Sequence, residues 1–191
     1  RFTMHTKELI QACYNGSSEM VNQFSNAVIT FLFNIILMRL AGPNGVAAIT
    51  ILLYGQFLFN AFYLGFSIGI SPIVGYQYGA GNRKELKSIY RISFRFVSLS
   101  SVIIAFAAVY LSTGIVTIFT DDPKTHALAV TGFGIFAYNF LFSGFNIASS
   151  GFFTALSDGK SSAIISFCRT LLFTVISLLV LPRFFGVNGA W

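Results

Sequence analysis

Charge is what this sequence has least of: Asp, Glu, Lys and Arg make up 9% of its 191 residues, against about 25% in an ordinary soluble domain. With 55% of the residues hydrophobic, a soluble fold of this length could not hide the apolar surface it would carry. Cysteine is nearly absent too. Cys13 and Cys168 are far apart and belong to no CxxC or His-rich pattern, which excludes a disulfide framework and gives no metal-binding signature. His5 and His126 have no second ligand at helical spacing, so no metal site and no cofactor is expected. Catalytic sets are likewise missing, with no Ser, His and Asp arrangement and no paired carboxylates at usable spacing, so an enzyme is not expected. The chain opens on Arg1 and stops at Trp191 without a signal peptide or a polar tail, and it reads as a piece cut at both ends.

What remains is long apolar runs. Met20 to Met38 is 19 residues, Val46 to Ile70 is 25, Phe96 to Thr120 is 25 and Ala127 to Ser157 is 31, while Ser161 to Pro182 is interrupted by Arg169 alone. At about 1.5 Å per residue, each is long enough to cross a hydrocarbon layer of roughly 30 Å. The runs do not alternate apolar and polar residues, and an open sheet in lipid would leave its edges unpaired, so helices are expected. The 23 phenylalanines suit a surface that meets lipid. Turn chemistry separates the runs, at Ala41-Gly42-Pro43-Asn44-Gly45, Asp121-Asp122-Pro123 and Asp158-Gly159. The expectation is an all-α integral membrane bundle of five complete transmembrane helices, over about 17–41, 45–71, 91–119, 126–157 and 161–184, with 187–191 opening a sixth.

Basic residues orient the bundle. If five helices cross in alternation, Arg1, Lys7, Arg83, Lys84, Lys87, Arg91, Arg95 and Lys160 fall on one side and Arg39, Lys124 and Arg183 on the other. That asymmetry puts the 80–95 connection in the cytoplasm and accounts for the net charge of +6 without a nucleic-acid partner. Within Ser71 to Arg95, Pro72 and the glycines at 75, 79 and 81 are expected to end the second helix. From Asn82 the period is helical. Lys84, Lys87, Arg91 and Arg95 share one face and Leu86, Ile89, Ile92 and Phe96 the other, the pattern of an amphipathic helix lying at the interface before the third span. No Gly-Lys-Ser/Thr follows the glycines, so they do not form a phosphate-binding loop.

Inside the spans polar residues are costly and face protein or water. Glu19, Asn22, Gln23, Asn26, Thr30 and Asn34 form one stripe on the first helix. Gln56, Asn60, Tyr63 and Ser67 form another on the second, and Asn139, Ser143, Asn146 and Ser150 a third on the fourth. Two readings apply. The stripes line a cavity or cleft where carboxylate, amides and aromatic faces bind a cation, or they bond helix to helix at about 0.6 kcal/mol each. Glu19 is the single acid within a span, close enough to its end to reach water. Arg169, deep in the fifth span, needs an acceptor, for which Glu19, Asp158 or backbone carbonyls are the candidates. It reads either as part of the pathway or as an arginine that locks the bundle. Ser162, Ser166 and Ser177 share its face.

The run PIVGYQYGAGNRKELK at 72–87 resembles the connection in the C-terminal half of MATE (multidrug and toxic compound extrusion) transporters. NGSSEMVNQFSNAVITFLFN at 15–34, GVAAITILLYGQFLFNAFYLGFSIG at 45–69, FTALSDGKSSAIISFCRT at 153–170 and LPRFFGVNGAW at 181–191 are similar to small bacterial members, in the same order. The resemblance implies residues 1–191 to be the second of two lobes in a multi-pass protein of a bacterial inner membrane, the partner being an N-terminal lobe of the same polypeptide. It implies alternating-access export of a small organic cation or drug, coupled to H+ or Na+ entry. In the sodium-coupled branch, acids on the helices that correspond to the first and fourth here bind the ion. Glu19 is on the first, but the fourth carries Asn139 and Asn146 and no internal acid, which departs from a two-carboxylate site. The rival readings are a flippase for lipid-linked precursors, which would want a basic cleft, and a membrane scaffold in which the stripes are helix contacts alone.

Overall fold

The computed structural model describes residues 6–191, the side chains at positions 8, 11, 15, 17–19 and 22 lying outside the description. Every described element is helical: α1 (Thr6–Gly79), α2 (Arg83–Phe119), α3 (Pro123–Ala155), α4 (Gly159–Ser166), a π-helical segment (Phe167–Phe173), α5 (Thr174–Phe185) and a 3₁₀ turn (Gly186–Gly189). Four stretches are long and apolar enough to cross a membrane: Gln23–Gly79, Arg83–Phe119, Pro123–Ala155 and Gly159–Gly189. The protein is therefore an all-α membrane protein.

The 74 residues of α1 would reach about 110 Å if straight, and they are not straight. Gly42 sits at φ 65°, ψ −154°, a region essentially reserved for glycine, and Pro43 follows with its φ preset for a helical first turn. The corner is tight. A Cβ at Gly45 would stand 3.0 Å from the carbonyl oxygen of Leu37, eight residues back, a separation of about 12 Å along a straight helix. Two arms result, 6–41 (arm A) and 43–79 (arm B). The same corner recurs near the end of the chain. Gly186 adopts φ 59°, ψ −135°, and Gly189 packs on the carbonyl of Leu181, again eight residues back. Gly42-Pro43-Asn44-Gly45 and Gly186-Val187-Asn188-Gly189 are one device used twice.

Arm B runs through Pro72 to Gly79, past the end near residue 71 that the Pro and Gly pattern suggests. A proline in a membrane helix is tolerated where neighbours satisfy the freed backbone. The turn that follows is a Schellman motif: the Asn82 amide donates to Gln77 O at 3.0 Å and the Gly81 amide to Tyr78 O at 3.0 Å. Asn82 then caps α2 by accepting from the Glu85 amide. The α3–α4 turn copies this arrangement, Asp158 donating to Phe153 O at 2.9 Å and Ser157 to Thr154 O at 3.0 Å. Here a serine, Ser157, occupies the left-handed position at φ 62°. Asp158 caps α4 and Asp122 caps α3 with Pro123 at its first turn, as the turn residues imply. The amphipathic stretch is continuous with the third span: Arg83–Phe119 is one helix without a break, so residues 83–95 are its first turns and not a separate helix lying flat.

α3 is the centre of the bundle, packed against both α1 and α2 and against α4. Ile29, Phe33 and Leu37 of arm A, Ile49 and Leu52 of arm B and Phe133, Phe136 and Phe140 of α3 build one apolar core. Arm B and α3 run parallel, since Leu52 meets Gly132, Tyr63 meets Gly144, Ser67 meets Gly151 and Gly75 meets the carbonyl of Ala155. Small residues at these crossings bring the backbones close, which is how helices associate where lipid offers no hydrophobic drive.

Candidate functional site

The polar residues fall into three groups, and the structure joins only some of those that share a stripe. On arm A, Ser25 is buried beside Ile29, Phe33 and Leu37. Gln23, Asn26 and Thr30 lie on an exposed face, and Asn34 is half-buried. Thr30 turns its hydroxyl back to the Asn26 carbonyl at 2.9 Å. The side chains of Glu19 and Asn22 lie outside the described residues, as does His5.

On arm B the stripe goes inward. Gln56 and Asn60 are half-buried, and Tyr63 and Ser67 are buried. The Tyr63 hydroxyl stands 3.3 Å from Ser101 Oγ on α2 and 3.3 Å from Phe140 O on α3, within hydrogen-bond reach of both. One phenol thus ties three helices together, over a glycine at 144 whose Cβ would stand 2.5 Å from the Tyr63 ring. Asn60 Oδ1, one turn earlier, is buried and has no hydrogen-bond partner. Ser143 Oγ on α3 is in the same condition. Buried polar atoms of this kind are rare in native folds and mark strain, function or a bound water or ion.

The third group was not singled out as a set by the sequence pattern. Ser150 of α3 faces α4, with Oγ 2.8 Å from Ser162 Oγ and 3.1 Å from Ser166 Oγ. Ser162 also bonds the Ser150 carbonyl at 3.0 Å and receives Thr154 Oγ1 at 2.9 Å. These hydroxyls make a polar seam along α3 and α4, and α4 passes without a break into the π-helical segment Phe167–Phe173. Arg169 sits inside that segment, half-buried. Its Nε donates to Thr170 Oγ1 at 3.2 Å, and its carbonyl accepts from Thr174 Oγ1 at 3.3 Å. π-Helical turns are uncommon and concentrate at functional positions. Of the acceptors expected for Arg169, Asp158 is otherwise engaged, its carboxylate receiving the Ser161 amide at 3.1 Å and the Ser161 hydroxyl at 2.7 Å. Those bonds, with the nearby Lys160 charge, hold the Asp158 carboxyl below its usual range. Ser162 and Ser166 are buried as Arg169's face suggests, but Ser177 is exposed.

The fourth-span stripe splits. Ser143 and Ser150 face the interior, Asn139 is exposed, and Asn146 lines a groove of about 410 Å³ between α2 and α3, with Tyr90, Phe94, Phe142, Phe145 and Phe152 around it. Among the described residues no group of three or more His, Cys, Asp or Glu could hold a metal ion.

A chain built this way, apolar outside and with hydroxyl and amide groups gathered along α3, matches the family model MatE over residues 20–179. The chain belongs to the MatE family. Its fold is similar along its whole length to two solved structures. One is "Crystal structure of MATE in complex with MaL6", with a TM-score of 0.91 at 19% identity. The other is "Outward-facing conformation of a multidrug resistance MATE family transporter of the MOP superfamily", with a TM-score of 0.90 at 19% identity. The chain covers 43% of the first and 44% of the second, less than half of either. Curated protein sequences give no match. Within this MatE chain, the arm B stripe and Arg169 stand out in the sequence, whereas the serine seam and the π-helical turn do not. Short hydroxyl side chains at 150, 154, 162 and 166 look like spacers until two helices are set side by side.

Proposed function

We propose that this chain is the C-terminal lobe of a secondary active transporter that exports organic cations in exchange for H+ or Na+ by alternating access. Membership of the MatE family is the observation that carries the reading. The full-chain likeness to less than half of two MATE structures supports a protein of two lobes, of which this is one. The Gly42 and Gly186 corners support a count of five complete spans with a sixth beginning after Gly186. Arm A, arm B, α2, α3 and α4 with α5 would be the five.

The division of polar groups supports a division of labour. Gln23, Asn26 and Thr30, exposed on arm A, would face the cleft shared with the other lobe and meet cargo there. Asn60 and Ser143 keep unpartnered oxygens inside the lobe, where neutral oxygen donors suit a dehydrated cation or a water that relays protons. Ion and cargo then favour different lobe orientations, so one gradient drives the other flux. Five basic residues at the start of α2 support a reading with that end on the cytoplasmic side of a bacterial inner membrane. Positively charged groups are few within the spans, which fits a cationic cargo better than an anionic one.

The test is flux in proteoliposomes holding the full-length protein and a fluorescent organic cation. Export accelerated by an inward H+ or Na+ gradient, and abolished when that gradient is collapsed, is the expected result. Cation movement insensitive to both gradients would contradict the proposal.

A further inference from the structure

We propose that the groove between α2 and α3 binds one anionic phospholipid, its acyl chain along the aromatic walls and its phosphate on Arg83 and Lys87. The groove holds about 410 Å³, within the usual range of ligand sites of roughly 300–1,000 Å³. Its lining runs from Tyr90 to Val97 on α2 and from Phe142 to Phe152 on α3, lengths of about 10 and 15 Å at helical rise. It is a channel parallel to the helix axes, the direction in which acyl chains lie. Its walls are ordered rings: Tyr90 meets Phe152 edge-on at 5.9 Å and Phe94 packs on Phe145 at 5.2 Å. Yet Tyr90, Phe94 and Phe142 remain half or more exposed, so the channel is open along its side.

Charge decides the occupant. Residues seven apart share a helix face, so Arg83 lies under Tyr90 and Lys87 under Phe94, about 10 Å nearer the helix start. The strip of α2 that lines the groove therefore continues into two exposed cations as it leaves the apolar zone. Lys84, Arg91 and Arg95 flank them, and Glu85 is the one acid between Asn82 and Arg95. Asp158 stands at the end of α3 but is held by Ser161. Tyr90 at the junction has the amphipathic ring that favours the headgroup level. An apolar channel ending in paired cations fits a molecule with a hydrocarbon tail and an anionic head. A zwitterionic lipid brings a phosphate whose charge its own ammonium offsets, so the paired cations favour a headgroup of net negative charge.

The experiment is native mass spectrometry of the full-length protein exchanged into detergent micelles with equal amounts of phosphatidylglycerol and phosphatidylcholine of the same acyl chains. The expected result is one phosphatidylglycerol retained in preference to phosphatidylcholine. The double variant Arg83→Gln/Lys87→Gln should lower that preference by about 30-fold, taking roughly fivefold for each basic residue near the headgroups. Ala148→Trp, which fills the groove, should remove the bound lipid, while Arg39→Gln/Lys124→Gln at other helix ends should change nothing. Equal retention of the two lipids would overturn the proposal. So would a preference that survives the loss of Arg83 and Lys87 or the filling at 148, or the absence of any retained lipid because another part of the protein covers the groove.

Discussion

α3 meets arm B and α4 by opposite means, and the contrast separates a close-packed contact from a hydroxyl-bonded one. Against arm B the seam is close: Gly132, Gly144 and Gly151 receive Leu52, Tyr63 and Ser67, and the Tyr63 phenol bonds to groups on α2 and α3. Against α4 the seam is made of hydroxyls, Ser150, Thr154, Ser162 and Ser166, and runs on into a π-helical turn. A seam with side chains seated over glycines has one arrangement, because displacing either helix opens a void or a clash. Hydroxyl partners can be exchanged for one another or for water at little cost. The arm B side therefore holds the lobe together, and the α4 side is where it can yield.

The largest effect should come from the close-packed seam. Gly144→Val puts a branched side chain where a Cβ alone would stand 2.5 Å from Tyr63 and 2.9 Å from Ser101 Oγ. Overpacking of this kind costs about 1–3 kcal/mol or more, so the thermal midpoint of detergent-solubilised protein should fall by several degrees or the protein should fail to accumulate. If Gly144→Val melted like the wild type, the two seams would not differ in kind.

A smaller loss is expected on the polar side. Ser162→Ala removes three hydroxyl contacts, at about 0.6 kcal/mol each in a membrane interior, so it should lower stability by about 1–2 kcal/mol. It should leave expression near normal, as seen by the same melting assay. A Ser162→Ala loss equal to that of Gly144→Val would show the hydroxyl seam to be as rigid as the other.

How much of this could be read from the sequence depended on what a pattern can encode. Breaks at Gly42-Pro43, Asp122-Pro123 and Asp158-Gly159 were legible because turn and cap chemistry is local. The continuation of arm B through Pro72 was not, since whether a proline ends a membrane helix depends on neighbours. Periodicity showed that Asn26 and Asn60 each belong to a stripe, but it cannot say what a stripe faces. Gln23 and Asn26 of arm A proved exposed, while Gln56 and Asn60 of arm B are half-buried. The amphipathic pattern at 83–95 suggests a helix lying at the interface, whereas these residues are the first turns of one continuous helix, Arg83–Phe119. Nothing in Phe167–Phe173 marks a π-helical turn, because such a turn arises from packing and not from residue preference.

The smallest effect should follow acid at the α3–α4 turn. The Asp158 carboxyl is held below its usual value of 3.8 by its bonds to Ser161, so its contribution is present above pH 3.8 and fades as pH falls through the lower folded value. Asp158→Ala should melt slightly lower than wild type at pH 6, and the gap should narrow as pH falls below 3.8. A difference that persists unchanged into acid would remove the ionised cap from the account.

Hydrogen–deuterium exchange on the full-length protein in lipid nanodiscs tests the contrast between the seams most directly. Peptides covering 52–67 and 132–144 should remain protected while those covering 159–173 exchange, since hydroxyl partners are exchanged at little cost and that seam runs on into the π-helical turn. Equal protection across both sets, or faster exchange along arm B, would contradict the division of α3 into a fixed face and a yielding one.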